Sequence, residues 1–246
     1  MKLLGRLVRT LLGGPFLFLY MCAMASLIIL SGESQFSEAC LVHWTRMVLR
    51  VVGIRVLFRP AKLDPNRSYV FVCNHTSHTD APTIIATVGR PLRFIAKKEL
   101  SYIPFFGQAA SRMGNVFINR KNSRAAADAI ERRLARGFTQ GVGLFFFAEG
   151  TRATEDELLP FKKGAAIAAL ETQLDVVPMA IAGARAVLPP KGFALFNPGP
   201  VVLVMGEPIP VSQFTYETRE AFTQAQRAAV EKQLAEAKAL LASAKA

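Results

Sequence analysis

Residues 11–30 form an unbroken apolar stretch of twenty residues with no Asp, Glu, Lys or Arg. As a helix rising 1.5 Å per residue they extend about 30 Å, the thickness of a bilayer's hydrocarbon core. Lys2, Arg6 and Arg9 precede them. Three topologies compete. A cleaved signal peptide fits the basic start and the Ala23-Met24-Ala25 signal, but residues 26–30 stay apolar beyond it. A full span puts the rest of the chain opposite the basic N-terminus, whereas a hairpin dipping into one leaflet keeps it on the cytoplasmic side. The next segment favours the hairpin. Leu41, Trp44, Val48 and Val51 recur at helical spacing with His43, Arg46 and Arg50 on another face, the pattern of an interfacial amphipathic helix. Gly13-Gly14-Pro15 is expected to weaken or kink the first helix. Residues 1–52 thus read as two membrane-associated helices joined across residues 31–37, with a core helix against the domain as an alternative that can coexist.

The 246 residues suit one catalytic domain plus an appendage. A hydrophobic share of 51% beside a net charge of +12 means that the chain addresses something apolar and something anionic. Phospholipid headgroups, phosphorylated substrates and nucleic acid are the anionic candidates. Nucleic acid explains only the charge, and the apolar stretch counts against it as a partner. Cys22, Cys40 and Cys73 are odd in number and lack C-x-x-C spacing, so they read as small buried hydrophobes in a reducing compartment.

Strands are expected at 54–58, 69–73, 93–96, 115–118, 142–147, 176–181 and 201–205, and helices at 82–88, 123–136 with Gly137 as a stop, 161–170 and 218–241. Their alternation predicts an α/β domain over 53–246, a mostly parallel or mixed sheet flanked by helices.

Asn74-His75-Thr76-Ser77-His78-Thr79-Asp80 follows the apolar run 69–73. A histidine at a strand end, with a carboxylate five residues on to orient it, can act as a general base near neutral pH. Alternatively, Asp80 caps a helix beginning at Ala81-Pro82. A metal site of His75, His78 and Asp80 lacks a convincing further ligand, so no metal is expected. Ser77 has no G-x-S-x-G elbow and reads as a solvated turn serine. Glu149-Gly150-Thr151-Arg152 follows another buried strand. Its glycine allows close backbone approach, its threonine offers a hydroxyl and its arginine a fork for a phosphate dianion, against the alternative of a tight turn with an internal Glu–Arg pair. Arg120, after a further strand, is a second candidate phosphate ligand or a solvated charge. Lys97 and Lys98 add positive potential.

In these blocks the chain resembles the 1-acyl-sn-glycerol-3-phosphate acyltransferase family of glycerolipid acyltransferases. Asn74-His75 with Asp80, Gly114 with Ile118 and Arg120, Phe147 with Glu149-Gly150-Thr151-Arg152, and Val177-Pro178 with Ile181 occur in order. Ile103-Pro104-Phe105-Phe106-Gly107, Phe161-Lys162-Lys163-Gly164, Leu188-Pro189-Pro190-Lys191-Gly192 and Gly206-Glu207-Pro208-Ile209 extend the likeness from about Tyr69 to Pro210. Ala148 departs from the proline usual before the glutamate. The resemblance implies acyl transfer from acyl-CoA or acyl-carrier protein to the sn-2 hydroxyl of lysophosphatidate, without an acyl-enzyme and with no cofactor beyond that co-substrate. His75 and Asp80 would be catalytic, and Lys97, Arg120, Glu149, Gly150, Thr151 and Arg152 would bind substrate, with Glu149 holding a basic partner. It further implies membrane lipids as partners and a place on the cytoplasmic face of the inner (plasma) membrane. Two alternatives stand beside it. One is the same chemistry on a lyso-ornithine lipid, glycerol 3-phosphate or another lysophospholipid; the other is a non-catalytic anionic-lipid-binding protein.

Overall fold

All five residues of Tyr-Val-Phe-Val-Cys, the strand β2 (Tyr69–Cys73), are buried. Branched and aromatic residues hidden on both faces mark a central strand with helices on either side of its sheet. The computed structural model describes residues 2–119, 130, 132, 141–153, 157–189 and 195–244. Among these, seven strands form one sheet. Its order is β1 (Ile54–Arg59), β7 (Gly199–Met205), β6 (Val176–Ala182), β2, β5 (Gly143–Phe147), β3 (Leu92–Lys97) and β4 (Val116–Ile118). From β6 to β4 all neighbours are parallel, whereas β7 runs antiparallel to β6 and pairs in parallel with β1. The sheet is therefore mixed, as expected. The strands begin and end within two residues of their expected bounds. The helix expected at 123–136 and its stop at Gly137 lie outside the described residues except for Ile130 and Arg132, both helical.

Alternation along the strands sorts the core into two layers. Val70, Val72, Leu144 and Phe146 face the small-residue helix α5 (Gly164–Thr172) and, after the short α6 (Ala184–Val187) in chain order, the last helix α7 (Arg219–Ser243), meeting Ala165, Ala169, Phe222 and Val230. Tyr69, Phe71, Cys73 and Phe145 face the other way, onto Val48 and Val52 of α2 (Gln35–Val52) and Ile84 of α3 (Asp80–Val88). This second face carries the site, because residues 75 and 147 continue its parity.

Two helices do form the N-terminal segment. α1 (Lys2–Ser31) continues through Pro15, and Gly13 is where it touches α2: a Cβ there would lie 2.5 Å from Val51 Cγ1. The connection is shorter than expected, comprising Gly32, Glu33 and Ser34, because Ser34 already caps α2 by accepting from Ser37 N at 3.2 Å. α2 is a core helix, packed through Val48 and Val52 on the sheet, and α1 lies against α2 and α4 (Phe106–Arg112).

The hairpin is fastened at both ends. At the turn, Arg93 of β3, only 3% exposed, pairs with Glu33 at 3.0 Å and Glu38 at 2.7 Å. Burial raises the Glu38 pKa, although Arg93 opposes that shift. At the other end, Arg9 Nη1 donates to Val51 O at 3.2 Å and Phe196 N donates to Thr10 Oγ1 at 2.8 Å. The outward face of α1 remains apolar and open to solvent, with Leu4, Leu12, Leu19 and Leu30 at 67, 70, 68 and 85% exposure. Such a continuous exposed stripe marks a surface for an apolar phase. Cys40 and Cys73 are buried, Cys22 is partly buried, and all three are unpaired thiols.

Candidate active site

Because β2, β3 and β5 are parallel, their carboxyl ends open on one edge of the sheet, the usual location of ligand sites in α/β folds. This edge brings together Asn74-His75 after β2, Lys97 at the end of β3, and Glu149 to Arg152 after β5. Arg120, two residues beyond β4, lies outside the described residues.

His75 Nδ1 lies 2.8 Å from Asp80 Oδ2. The same oxygen accepts Thr76 N at 2.6 Å and Ser77 N at 2.8 Å. Asp80 has no exposed surface and three donors converge on one of its oxygens, so it accepts from the ring and the imidazole proton resides on Nδ1. Nε2 is left with its lone pair on a ring that is 18% exposed. Asp80 opens α3, but its carboxylate turns back to residues 75–77, and the cap position belongs to Thr79. The contact between the Asp80 carboxylate and the His75 ring and the helix start are thus both present. The ring also stacks on Phe147, with centroids 3.9 Å apart and planes within 14°. Cys73 and Phe147 are register partners, so the β2–β5 pairing itself delivers that contact.

Three polar residues hold this turn through the backbone. Asn74, buried, donates to Ile181 O at 3.0 Å and accepts from Ile181 N at 2.8 Å. Its amide thus continues the β2–β6 ladder with a side chain, while the main chain turns away. Glu149, also buried, accepts His75 N at 2.8 Å on one oxygen and Leu159 N at 2.9 Å on the other. Among the described residues its hydrogen-bond donors are these two amides, and Arg227 is the basic side chain whose charge acts on it. Burial raises the Glu149 pKa, and the two amide bonds oppose that rise. Ser77 is buried, not solvated: its hydroxyl donates to Leu188 O at 2.7 Å and accepts Thr79 N at 3.1 Å. The sequence around Asn74 and Ser77 gives no sign of these holding roles, because both partners lie over one hundred positions away. Ala148 N donates to Cys73 O at 3.2 Å, a bond that proline could not make.

Arg152 contacts the histidine ring of His78 through Nη1 and Nε2, and does not form the internal pair with Glu149. Gly150 sits at φ +72, a left-handed turn conformation that favours glycine, and Thr151 is exposed. Lys97 pairs with Glu99 at 3.1 Å and is half-exposed. Among the described residues no group of three His, Cys, Asp or Glu side chains is placed to hold a metal ion.

Beside His75 opens a cavity of about 330 Å³, bounded by Met24 and Ile28 of α1, Trp44 of α2, Phe94 of β3, and Ala109 and Met113 around α4. His75, His78, Lys97 and Asn115 supply its polar margin. An imidazole therefore stands at the margin of an apolar chamber bounded on one side by the helical hairpin.

A family model described as Acyltransferase matches residues 50–182. A chloroplastic 1-acyl-sn-glycerol-3-phosphate acyltransferase of Brassica napus is 36% identical over 140 residues, covering 57% of this chain and 40% of the relative. The Salmonella typhimurium enzyme of the same name is 28% identical over 195 residues, 79% of this chain and 78% of its own. The crystal structure of the 1-acyl-sn-glycerophosphate (LPA) acyltransferase PlsC from Thermotoga maritima superposes with a TM-score of 0.81 at 25% identity, covering 97% of this chain and 98% of that one. The chain spans only about two fifths of the length of the chloroplastic relatives, 40% and 39%. Its matched segment holds the His75–Asp80 pair, the Glu149 to Arg152 turn and the sheet edge that unites them, and on that match the chain belongs to the acyltransferase family that contains the 1-acyl-sn-glycerol-3-phosphate acyltransferases.

Proposed function

We propose that this protein moves a fatty acyl group from acyl-CoA or acyl-carrier protein to the sn-2 hydroxyl of lysophosphatidate, giving phosphatidate. The observation that carries the reading is the imidazole of His75, fixed by Asp80 at 2.8 Å, at the margin of an apolar cavity. Nε2 takes the proton of the acceptor hydroxyl, and the oxygen attacks the thioester carbonyl as that proton leaves. The tetrahedral adduct collapses by breaking the C–S bond, and the thiolate recovers the proton from the imidazolium. No acyl-enzyme forms in this mechanism, because the buried Ser77 hydroxyl beside the base is committed to Leu188 O. The cavity houses an acyl chain, Arg152 and Thr151 meet the acceptor phosphate with Lys97 adding positive potential, and the thioester is the one co-substrate. Arg120 completes the phosphate site in this proposal. Glu149 and Gly150 shape the turn that presents Arg152.

Residues 1–52 serve as the membrane-associated part and 53–246 as the catalytic domain. Since α1 is docked along α2, with Arg9 bonded to Val51 O at one end and the turn at Glu33 tied to Arg93 at the other, it rests its apolar face on the cytoplasmic leaflet, and crossing the bilayer would require undocking. A protein that merely binds anionic lipid needs no buried carboxylate behind an imidazole. The test is thiol release by the full chain in detergent micelles, with acyl-CoA or acyl-carrier protein as donor and a panel of lysophosphatidate, other lysophospholipids, lyso-ornithine lipid and glycerol 3-phosphate as acceptors. Release that depends on lysophosphatidate and vanishes in His75→Ala is expected; a folded protein without release on any acceptor sinks the proposal.

A further inference from the structure

His78 lies on the same turn as His75 and at the same cavity margin, yet the transfer step gives it no task. Its Nε2 faces Arg152 Nη1. Arginine only donates, so this contact exists only while Nε2 carries a lone pair. One such donation occupies one of five guanidinium N–H groups and leaves the others for a dianion. We infer that His78 is a positioning residue that accepts a hydrogen bond from Arg152, holds its guanidinium beside the cavity for the acceptor phosphate, and releases it on protonation. The inference rests on the phosphate role proposed above for Arg152.

Protonated, Nε2 and Nη1 would set donor against donor and cation against cation, and Arg152 would swing away. Arg152 faces the ring from the turn after β5, His75 and Asp80 from its own turn, and Lys97 stands on the same cavity margin from β3. Desolvation first, then the charges of Arg152 and His75, lower the His78 pKa, against the opposing pull of Asp80. The ring therefore stays neutral further into acid than an ordinary histidine, and the hold on Arg152 persists over the neutral range. His75 supplies the base and His78 the grip on the acceptor, so the two histidines divide catalysis from binding.

Steady-state kinetics of the full chain in micelles separates these roles. His78→Phe keeps a ring and removes the acceptor; its KM for lysophosphatidate should rise about tenfold, the value of one hydrogen bond to a charged group, with the donor KM and kcat little changed. His78→Gln places an amide oxygen near the position of Nε2 and cannot titrate. It should restore the acceptor KM and abolish the rise in that KM that the wild type shows as pH falls. An unchanged acceptor KM in His78→Phe, or identical pH profiles for wild type and His78→Gln, overturns the inference. Imidazole nitrogen NMR adds a readout independent of turnover: Nε2 of His78 should resonate as an unprotonated nitrogen at neutral pH, and Arg152→Ala should raise the His78 pKa. A protonated Nε2, or no shift in that variant, also refutes it. Failure of the wider proposal looks different, since then the wild type gives no release, or Arg152→Ala leaves the acceptor KM unchanged while the NMR contact stands.

Discussion

Replacing Asp80 by asparagine should remove charge without removing orientation. Asp80 Oδ2 receives three donors, His75 Nδ1 at 2.8 Å, Thr76 N at 2.6 Å and Ser77 N at 2.8 Å. An asparagine in the same rotamer must present its oxygen to the two backbone N–H groups, because its amide nitrogen would face them donor to donor in a buried turn. That same oxygen then still accepts from His75 Nδ1, and the catalytic tautomer survives. What disappears is the negative charge beside the forming imidazolium. With about 4 Å between charge centres and an effective dielectric constant of about 20, that attraction is about 4 kcal/mol. The predicted fall in kcat is thus at most about 10³-fold, whereas an asparagine that selects the wrong tautomer costs about 10⁴-fold in a serine protease. Asp80→Ala should be worse in both respects: its activity should match the His75→Ala background, and two orphaned amides should cost about 1–3 kcal/mol each in stability. Thiol release at saturating donor and acceptor, with thermal unfolding of each variant, measures both effects. An Asp80→Asn protein as stable as the wild type yet as inactive as His75→Ala would show that the amide had flipped, and would refute the shared-oxygen reasoning. Full activity would show that no imidazolium charge develops at the rate-limiting step.

Glu149→Gln keeps one of the two amide bonds and opposes the other with an NH₂ group, so unfolding measurements should show a loss of about 1–3 kcal/mol; wild-type stability would deny the clamp. The raised pKa of Glu149 means that the folded state holds this proton more tightly than the unfolded chain does. Its contribution to stability therefore declines as pH rises from the ordinary carboxyl value through the raised one, and Glu149→Gln should flatten that slope in unfolding curves taken across the window. Gly13→Ala places a methyl 2.5 Å from Val51 Cγ1 and should cost about 1–3 kcal/mol by overpacking; an unaltered melting temperature would mean that α1 does not approach α2 there. Ala109→Phe fills the cavity and should shift kcat/KM toward shorter donors, by about 0.8 kcal/mol or about fourfold for each methylene denied a place. An unchanged chain-length preference would move the acyl site elsewhere.

The elements whose sequence legibly announced them are those governed by local rules. β2 and β5 read as buried strands from five apolar residues each, and α7 reads as a helix from its alanine-rich periodicity. His75 and Asp80 were visible as a pair because both partners lie on one turn, five positions apart. The connection of α1 to α2 is shorter than apolar spacing implies, since that spacing marks where a helix faces a core and says little about where Ser34 caps it. Arg93, Glu33 and Glu38 gave no local signal at all: a charged residue within a strand reads as solvated until the turn that neutralises it is folded beside it.

The letters that look most catalytic divide by what their polar atoms can still reach. Asn74 spends both ends of its amide on Ile181, and Glu149 spends both oxygens on His75 N and Leu159 N. Such partners are backbone groups, which every residue carries, so no complementary side chain betrays them in a sequence. A buried side chain whose hydrogen bonds all end on the main chain cannot meet a substrate without breaking the turn that it supports. In the mechanism proposed above, Asn74 and Glu149 accordingly bear on the transfer through the position of His75, and so does Ser77, whose hydroxyl is held by Leu188 O and Thr79 Oγ1. Substitution there should lower stability and kcat together, whereas His78, exposed at the cavity margin, and Arg152, in contact with it, should move the acceptor KM while leaving the fold intact. Loss of stability on replacing Arg152, measured beside its kinetics, would place that arginine with the holding residues instead.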